Sequence, residues 1–181
     1  MISSGTTALT TFKPRALLSY IGNVRGETLE RSYRNPIIFY YCANWLFRHR
    51  VPFLPRLLQM VLFLLCKAIV PYRAKIGPGC LMAHGGVGVV IHPEVQIGRH
   101  VLICQQVTIG GTGKGQQAPI LGDDIYIGAG AKILGPVTIG NGSVIGANAV
   151  VVKSVPPRCV VAGVPARVLR ENIDSHDVED W

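Results

Sequence analysis

From residue 70 onward an aliphatic side chain recurs every six positions, and this period constrains the fold more than any other feature of the chain. The run reads Ile97-Gly98, Ile103-Cys104, Ile109-Gly110, then Leu121-Gly122, Ile127-Gly128, Ile133-Leu134, Ile139-Gly140, Ile145-Gly146 and Val151-Val152. Such a period matches neither the turn of an α-helix nor the two-residue alternation of an ordinary strand. It suits a solenoid in which each short strand turns one aliphatic side chain inward and a turn follows, three hexapeptides closing one triangular coil.

Two interruptions break the count. A three-residue excess falls between Met82 and Ile91, around His84-Gly85-Gly86-Val87-Gly88, and a six-residue excess falls between Ile109 and Leu121. Excursions from a regular scaffold are where function usually sits. A purely architectural or ice-binding solenoid needs neither a histidine nor glycine-rich loops at its interruptions. Composition agrees with short strands and turns: 49% hydrophobic and 15% charged residues, with 21 glycines and 12 prolines, are too apolar for disorder and too glycine-rich for a helical bundle.

The first part of the chain reads differently. Residues 1–34 are polar and basic and suggest a loose or partner-dependent arm. Asn35-Pro36 is a helix start, with a capping side chain before proline at the first helical position, and the apolar run Ile37 to Phe47 continues to Arg48-His49-Arg50. A second helix from Pro55 is apolar almost all round before Lys67 and the stop at Pro71. It is shorter than the roughly 20 apolar residues that span a bilayer, which leaves contact with another subunit or peripheral membrane contact through residues 36–68. The expected organisation is an arm and helices over 1–69, the solenoid over 70–170 and an acidic tail over 171–181.

No signal peptide is read at the N-terminus, and five cysteines without CxxC spacing suggest neither a disulfide framework nor a zinc site. A cytoplasmic protein is expected, with the inner face of the cytoplasmic membrane as a further possibility. The net charge of +8 suits an anionic partner. Scattered basic residues and an aromatic content of 7% argue against nucleic acid.

The stretch Lys75-Ile76-Gly77-Pro78-Gly79-Cys80-Leu81-Met82-Ala83-His84-Gly85-Gly86-Val87-Gly88-Val89-Val90 resembles the surroundings of the catalytic histidine in the serine acetyltransferase family. Gly110-Gly111-Thr112-Gly113-Lys114 resembles that family's glycine-rich loop, and Ala162-Gly163-Val164-Pro165-Ala166-Arg167 its closing motif. The resemblance implies an all-β left-handed parallel β-helix of hexapeptide repeats, with a short N-terminal α-helical region. It further implies a homotrimer, with acetyl-CoA as acyl donor in the cleft between neighbouring copies and no metal. His84 is then the catalytic residue. Gly111, Thr112, Lys114, Gly128, Ala129, Ala147, Lys153 and Arg167 become the cofactor-binding set, the last two offering charge to the CoA phosphates. His92 and Gln117 are candidates for the acceptor, although for His92 and His100 the reading as turn-capping residues is preferred.

The chemistry fits these residue types. Moving an acyl group from a thioester to an alcohol needs a base for the hydroxyl proton, and imidazole suits this near neutrality. The glycines beside His84 let a substrate approach. Nothing in the sequence demands a covalent acyl-enzyme.

Four positions depart from the family. Ile69 stands where an aspartate orients the histidine, Ala83 where an acid precedes it, and Gln117-Ala118 where an Arg-His pair meets the amino-acid carboxylate. Together with the short N-terminal region and the apolar helix near Leu57, these changes resemble the sugar O-acetyltransferases of exopolysaccharide and capsule pathways. The expected acceptor is therefore a sugar hydroxyl of a polysaccharide or its precursor. Serine O-acetylation is the alternative, and a non-catalytic scaffold the second.

Overall fold

The structure, a computed structural model of the chain, describes residues 35–111 and 117–174. The arm expected over 1–34 and most of the acidic tail lie outside the described residues.

Two helices, α1 (Ile37–Arg48) and α2 (Leu54–Cys66), precede the solenoid. The first coil contains β1 (Lys75–Ile76), β2 (Leu81–Met82) and β3 (Val90–Ile91), and the second β4 (Gln96–Ile97), β5 (Leu102–Ile103) and β6 (Thr108–Gly110). Next come β7 (Ile120–Leu121), β8 (Tyr126–Ile127) and β9 (Lys132–Leu134), then β10 (Thr138–Ile139), β11 (Val144–Ile145) and β12 (Val150–Val151). Two closing strands follow, β13 (Val160–Ala162) and β14 (Arg167–Arg170).

Every third strand pairs in parallel, which gives three faces: β1-β4-β7-β10, then β2-β5-β8-β11-β13, then β3-β6-β9-β12. The chain thus forms the left-handed β-helix, with the helical region at its N-terminal end. Only β14 runs antiparallel, folding back on β13.

The hexapeptide period is explained by what points inward. Met82, Ile103, Ile127, Ile145 and Val161 form one buried column, and Ile91, Ile109, Ile133 and Val151 another. Each such side chain contributes about 2 kcal/mol of burial. The residue two positions earlier fills the space beneath the turn, as Val95, Val101, Val107, Ile125 and Ala131 do. At one corner the coils come closer than a side chain permits: a Cβ on Gly77 would stand 2.5 Å from the Gly98 carbonyl oxygen, and one on Gly98 2.5 Å from that of Gly122. Glycine after the inward aliphatic is therefore a stacking requirement.

The irregular segments leave this register untouched. Met82 still pairs with Ile103, Ile91 with Ile109, and Ile109 with Ile133. The three-residue excess is expelled at the corner between the second and third faces, and the six-residue excess at the corner between the third and first.

A parallel solenoid leaves unpaired backbone groups on its first coil, and α1 supplies their partners. On the outer edge of β1, the Tyr40 hydroxyl donates to the Ala74 carbonyl at 2.7 Å and accepts from the Ile76 N–H at 3.0 Å. Tyr41 donates to the Gly77 carbonyl at 2.6 Å, and Asn44 to that of Tyr72 at 2.8 Å. Asn35 grips the edge of β2 from both sides, accepting from the Met82 N–H and donating to the Met82 carbonyl, each at 3.2 Å. The same Asn35 oxygen accepts from the Ile37 N–H at 3.2 Å and so caps the helix. Both tyrosines are fully buried. Tyr40→Phe keeps the ring but leaves two buried backbone groups unsatisfied, and is expected to lower unfolding stability by about 2 kcal/mol, read as a shift in the denaturant midpoint with an unchanged slope.

Candidate active site

His84 stands on the tight turn Ala83–Gly86 that makes the first excursion. Most corners of the solenoid use one residue of positive φ, such as Gln106, Gly130 or Asn148. Here four occur within five residues: His84 at φ 51°, Gly85 at 69°, Gly86 at 65° and Gly88 at 71°. Only glycines tolerate such a run without the cost of roughly 1 kcal/mol per residue that a side chain adds, which explains the composition of the segment. Gly86 has a second reason, since a Cβ there would meet the Met82 sulfur at 2.8 Å and Pro36 at 3.4 Å. The turn is thus braced by the start of α1, through Pro36 and the paired bonds of Asn35 to Met82. The His84 side chain is exposed and hydrogen-bonds to no described residue.

Below His84, the corner between the second and third faces forms a column. Gln106 N–H donates to the Val87 carbonyl at 2.8 Å, Gly130 N–H to Gln105 at 2.9 Å, and Asn148 N–H to Ala129 at 2.8 Å. Val87, Gln105, Ala129 and Ala147 are therefore equivalent positions in successive coils. This puts Ala129 and Ala147, with Gly128 beside them, on the same corner as the His84 excursion, as small side chains below Val87 and Gln105. Gly128 itself is buried, and a Cβ on it would come within 2.6 Å of the Ala147 backbone nitrogen, so its glycine serves coil stacking.

The remaining candidates gather on another corner. His92 immediately follows β3, Gly111 follows β6, Gln117 precedes β7 and Lys153 follows β12, all between the third and first faces. His92 N–H donates to the Ile109 carbonyl at 2.8 Å, and its ring Nδ1 accepts from the Glu94 N–H at 3.3 Å, a turn-capping bond. Gly111 and Gln117 meet at the base of the second excursion, where a Cβ on Gly111 would stand 3.3 Å from the Gln117 carbonyl oxygen. Thr112 and Lys114 lie outside the described residues. Arg167 begins β14, exposed on the second face. His100 hydrogen-bonds Asp124 at 3.2 Å on the corner between the first and second faces.

One polar residue in the His84 column went unnoticed in the sequence. The Gln105 side-chain oxygen is buried and has no hydrogen-bond partner among the described residues. Its signal was visible: glutamine stands where later coils carry Ala129 and Ala147. Two other titratable groups are poorly suited to proton or acyl transfer. The Tyr126 hydroxyl is pushed up to about 12, first by its hydrogen-bonded pairing with the Cys104 sulfur and then by burial, and stays a phenol at neutral pH. Burial likewise pushes the Cys80 thiol up to about 11, so it stays protonated. No cluster of three or more metal-ligating side chains occurs among the described residues. A concavity of about 560 Å³ between α1 and the first face, lined in part by Arg48, Arg73 and Lys75, contains none of the candidate residues.

Residues 118–153 match the family of bacterial transferase hexapeptide (six repeats) proteins. The chain is 42% identical over 135 residues to the serine acetyltransferase of Synechococcus elongatus, covering 74% of this chain and 55% of that one, so it spans about half of that relative. It is 39% identical over 153 residues to the serine acetyltransferase of Bacillus subtilis, covering 78% of this chain and 70% of that one. The crystal structure of serine acetyltransferase in complex with coenzyme A from Brucella abortus superposes with a TM-score of 0.72 at 32% identity, covering 87% of this chain and 66% of that one. These relatives overturn the expectation of a sugar acceptor and of a place in polysaccharide synthesis. That expectation rested on charges missing at positions 69, 83, 117 and 118, on the short N-terminal region and on the apolar helix near Leu57, and none of these supplies a group that recognises a sugar. With both excursions on a shared scaffold, and with a relative of this identity covered over more than two thirds of its length, the chain belongs to the serine acetyltransferase family.

Proposed function

We propose that the protein transfers the acetyl group of acetyl-CoA to the hydroxyl of L-serine, in a cleft completed by a second copy within a homotrimer. The observation that carries this reading is the exposed His84 at the head of the small-residue column of Ala129 and Ala147. A pantetheine arm laid along that column would bring its thioester towards the imidazole. Support for a second copy comes from the division of the candidates, with His92, Gly111, Gln117 and Lys153 on a corner that the third face separates from His84.

The proposed reaction is direct. His84 takes the serine hydroxyl proton as the oxygen attacks the thioester carbonyl, forming the new C–O bond and a tetrahedral oxyanion. Collapse of that intermediate breaks the C–S bond, the departing CoA sulfur receives the proton from His84, and O-acetylserine and CoA leave. Backbone N–H groups and the Gln105 amide are the donors nearest the column for the oxyanion. In the proposed complex the Gln105 side chain turns towards the cleft, where its oxygen, without a partner among the described residues, accepts from an amide N–H of the pantetheine arm.

Purified protein with acetyl-CoA is expected to release CoA thiol in proportion to added L-serine. His84→Ala should lower kcat by about a thousandfold while leaving the thermal unfolding midpoint in place, because the side chain is exposed. Serine-independent release, or a variant as active as the parent, would sink the reading. Gln105→Ala is expected to raise KM for acetyl-CoA about tenfold with a smaller change in KM for serine. The departure at the loop is tested by gain rather than loss. Gln117→Arg supplies a bidentate partner for a carboxylate and should lower KM for L-serine about tenfold, and an unchanged KM would mean that the carboxylate is held elsewhere.

A further inference from the structure

No helix among the described residues is long and apolar enough to cross a membrane. Helix α2, 13 residues long, extends about 20 Å, well short of a bilayer's hydrocarbon core. Its burial is one-sided. Pro55 and Leu62 are buried, while Leu57, Met60 and Leu64 share the opposite side at helical spacing and are exposed, Leu64 by 57%, with Leu54 exposed on the flank. The turn entering the helix carries Phe53, which is 89% exposed, and Leu65 near its end is 69% exposed. A soluble chain does not ordinarily leave so continuous an apolar strip uncovered.

The charges around this strip indicate what covers it. From Asn35 to Pro93 the sequence contains no aspartate or glutamate, but has Arg48, Arg50, Arg56, Lys67, Arg73 and Lys75. Several of these cations lie against the exposed aromatics. Arg50 and Arg56 line a hollow with Phe47 and Phe53, Lys67 stands 5.8 Å from the centre of the Phe63 ring, and Arg73 stands 5.8 Å from that of Phe47. An apolar helix face whose charged neighbours among the described residues of this segment are all cations is the arrangement that lies in the headgroup plane of an acidic bilayer, with acyl chains against the leucines and lipid phosphates against the rim. A second copy of the chain would bring the same cations together without an acid to offset them.

We propose that the turn Arg50–Pro55 and the outer face of α2 dock the protein flat on an anionic lipid surface. The site shares no residue with the His84 corner and does not depend on the identity of the acetyl acceptor. Flotation of the full chain with vesicles of phosphatidylcholine alone, and with vesicles in which about a third of the lipid is phosphatidylglycerol, tests it. Binding to the acidic vesicles only, weakened by salt, is the expected result. The exposed pair Leu57→Gln/Leu64→Gln should reduce binding about tenfold or more, with lipid-free acetyl transfer and the unfolding midpoint unchanged. Should that variant fold poorly, Arg50→Gln/Arg56→Gln provides the same reading from the charged rim. Equal binding to both vesicle types, no binding to either, or binding that survives the substitutions overturns the proposal. So does a lipid-free change of oligomeric state in the leucine variant, which would assign the face to a second copy.

Discussion

The parallel pairing of each strand with the one a full coil later governs the rest of the molecule. Once Met82 is held against Ile103 and Ile103 against Ile127, no strand can lengthen or slip without turning an aliphatic column out of the core. Extra residues have one place to go, the corners, where they leave the strand register inside undisturbed. Segments of such different length as the His84 turn and the loop after β6 are accommodated by the same rule. The scaffold is rigid where it is periodic, and chemical groups are added only where it is not.

That rule also decides how much of the protein was legible in its sequence. The inward position demands an aliphatic side chain in every hexapeptide and the tight corner demands glycine after it, so coil number and the places of both interruptions could be read by counting. Grouping the candidates required a further step, the phase of each residue around the coil. That phase divides His84, Ala129 and Ala147 from His92, Gln117 and Lys153. Gln105 was missed because attention to the aliphatic columns passes over the corner positions beside them. The bonds from Asn35 and Tyr40 to the first coil were not readable at all, since nothing local in a helix announces which distant backbone groups its polar side chains will satisfy. The acceptor was misjudged for a different reason. Absent charges at four positions were given more weight than four ordered features that were present.

Capping links the helical region to the site. Asn35 joins the first turn of α1 to β2 through Met82, the residue before Ala83 and His84, and Pro36 packs on Gly86. The backbone that presents His84 is therefore fixed from the helix side as well as from the solenoid side, where Val87 receives the Gln106 N–H. With isoleucine at position 69, rigid placement of this main chain is the part of the orientation that the fold itself provides. An aspartate would add a preference for one tautomer. The turn geometry constrains where the ring can reach.

The same helical region has a second side with opposite requirements. Tyr40, Tyr41 and Asn44 face the coil and hydrogen-bond to its backbone, whereas Leu57, Met60 and Leu64 face away and are exposed among the described residues. An end cap needs only one face of a helix pair, and a leucine-rich outer face adds nothing to capping. Leucines left in water would weaken solubility, so their retention calls for a surface that removes them from it. The absence of acids over Asn35 to Pro93 restricts which surface that can be: an acidic partner gains from the cations at the rim, and a basic one is repelled. In the proposed arrangement α1 closes the solenoid and α2 carries it to a lipid surface, with the His84 corner left free for a soluble donor and acceptor.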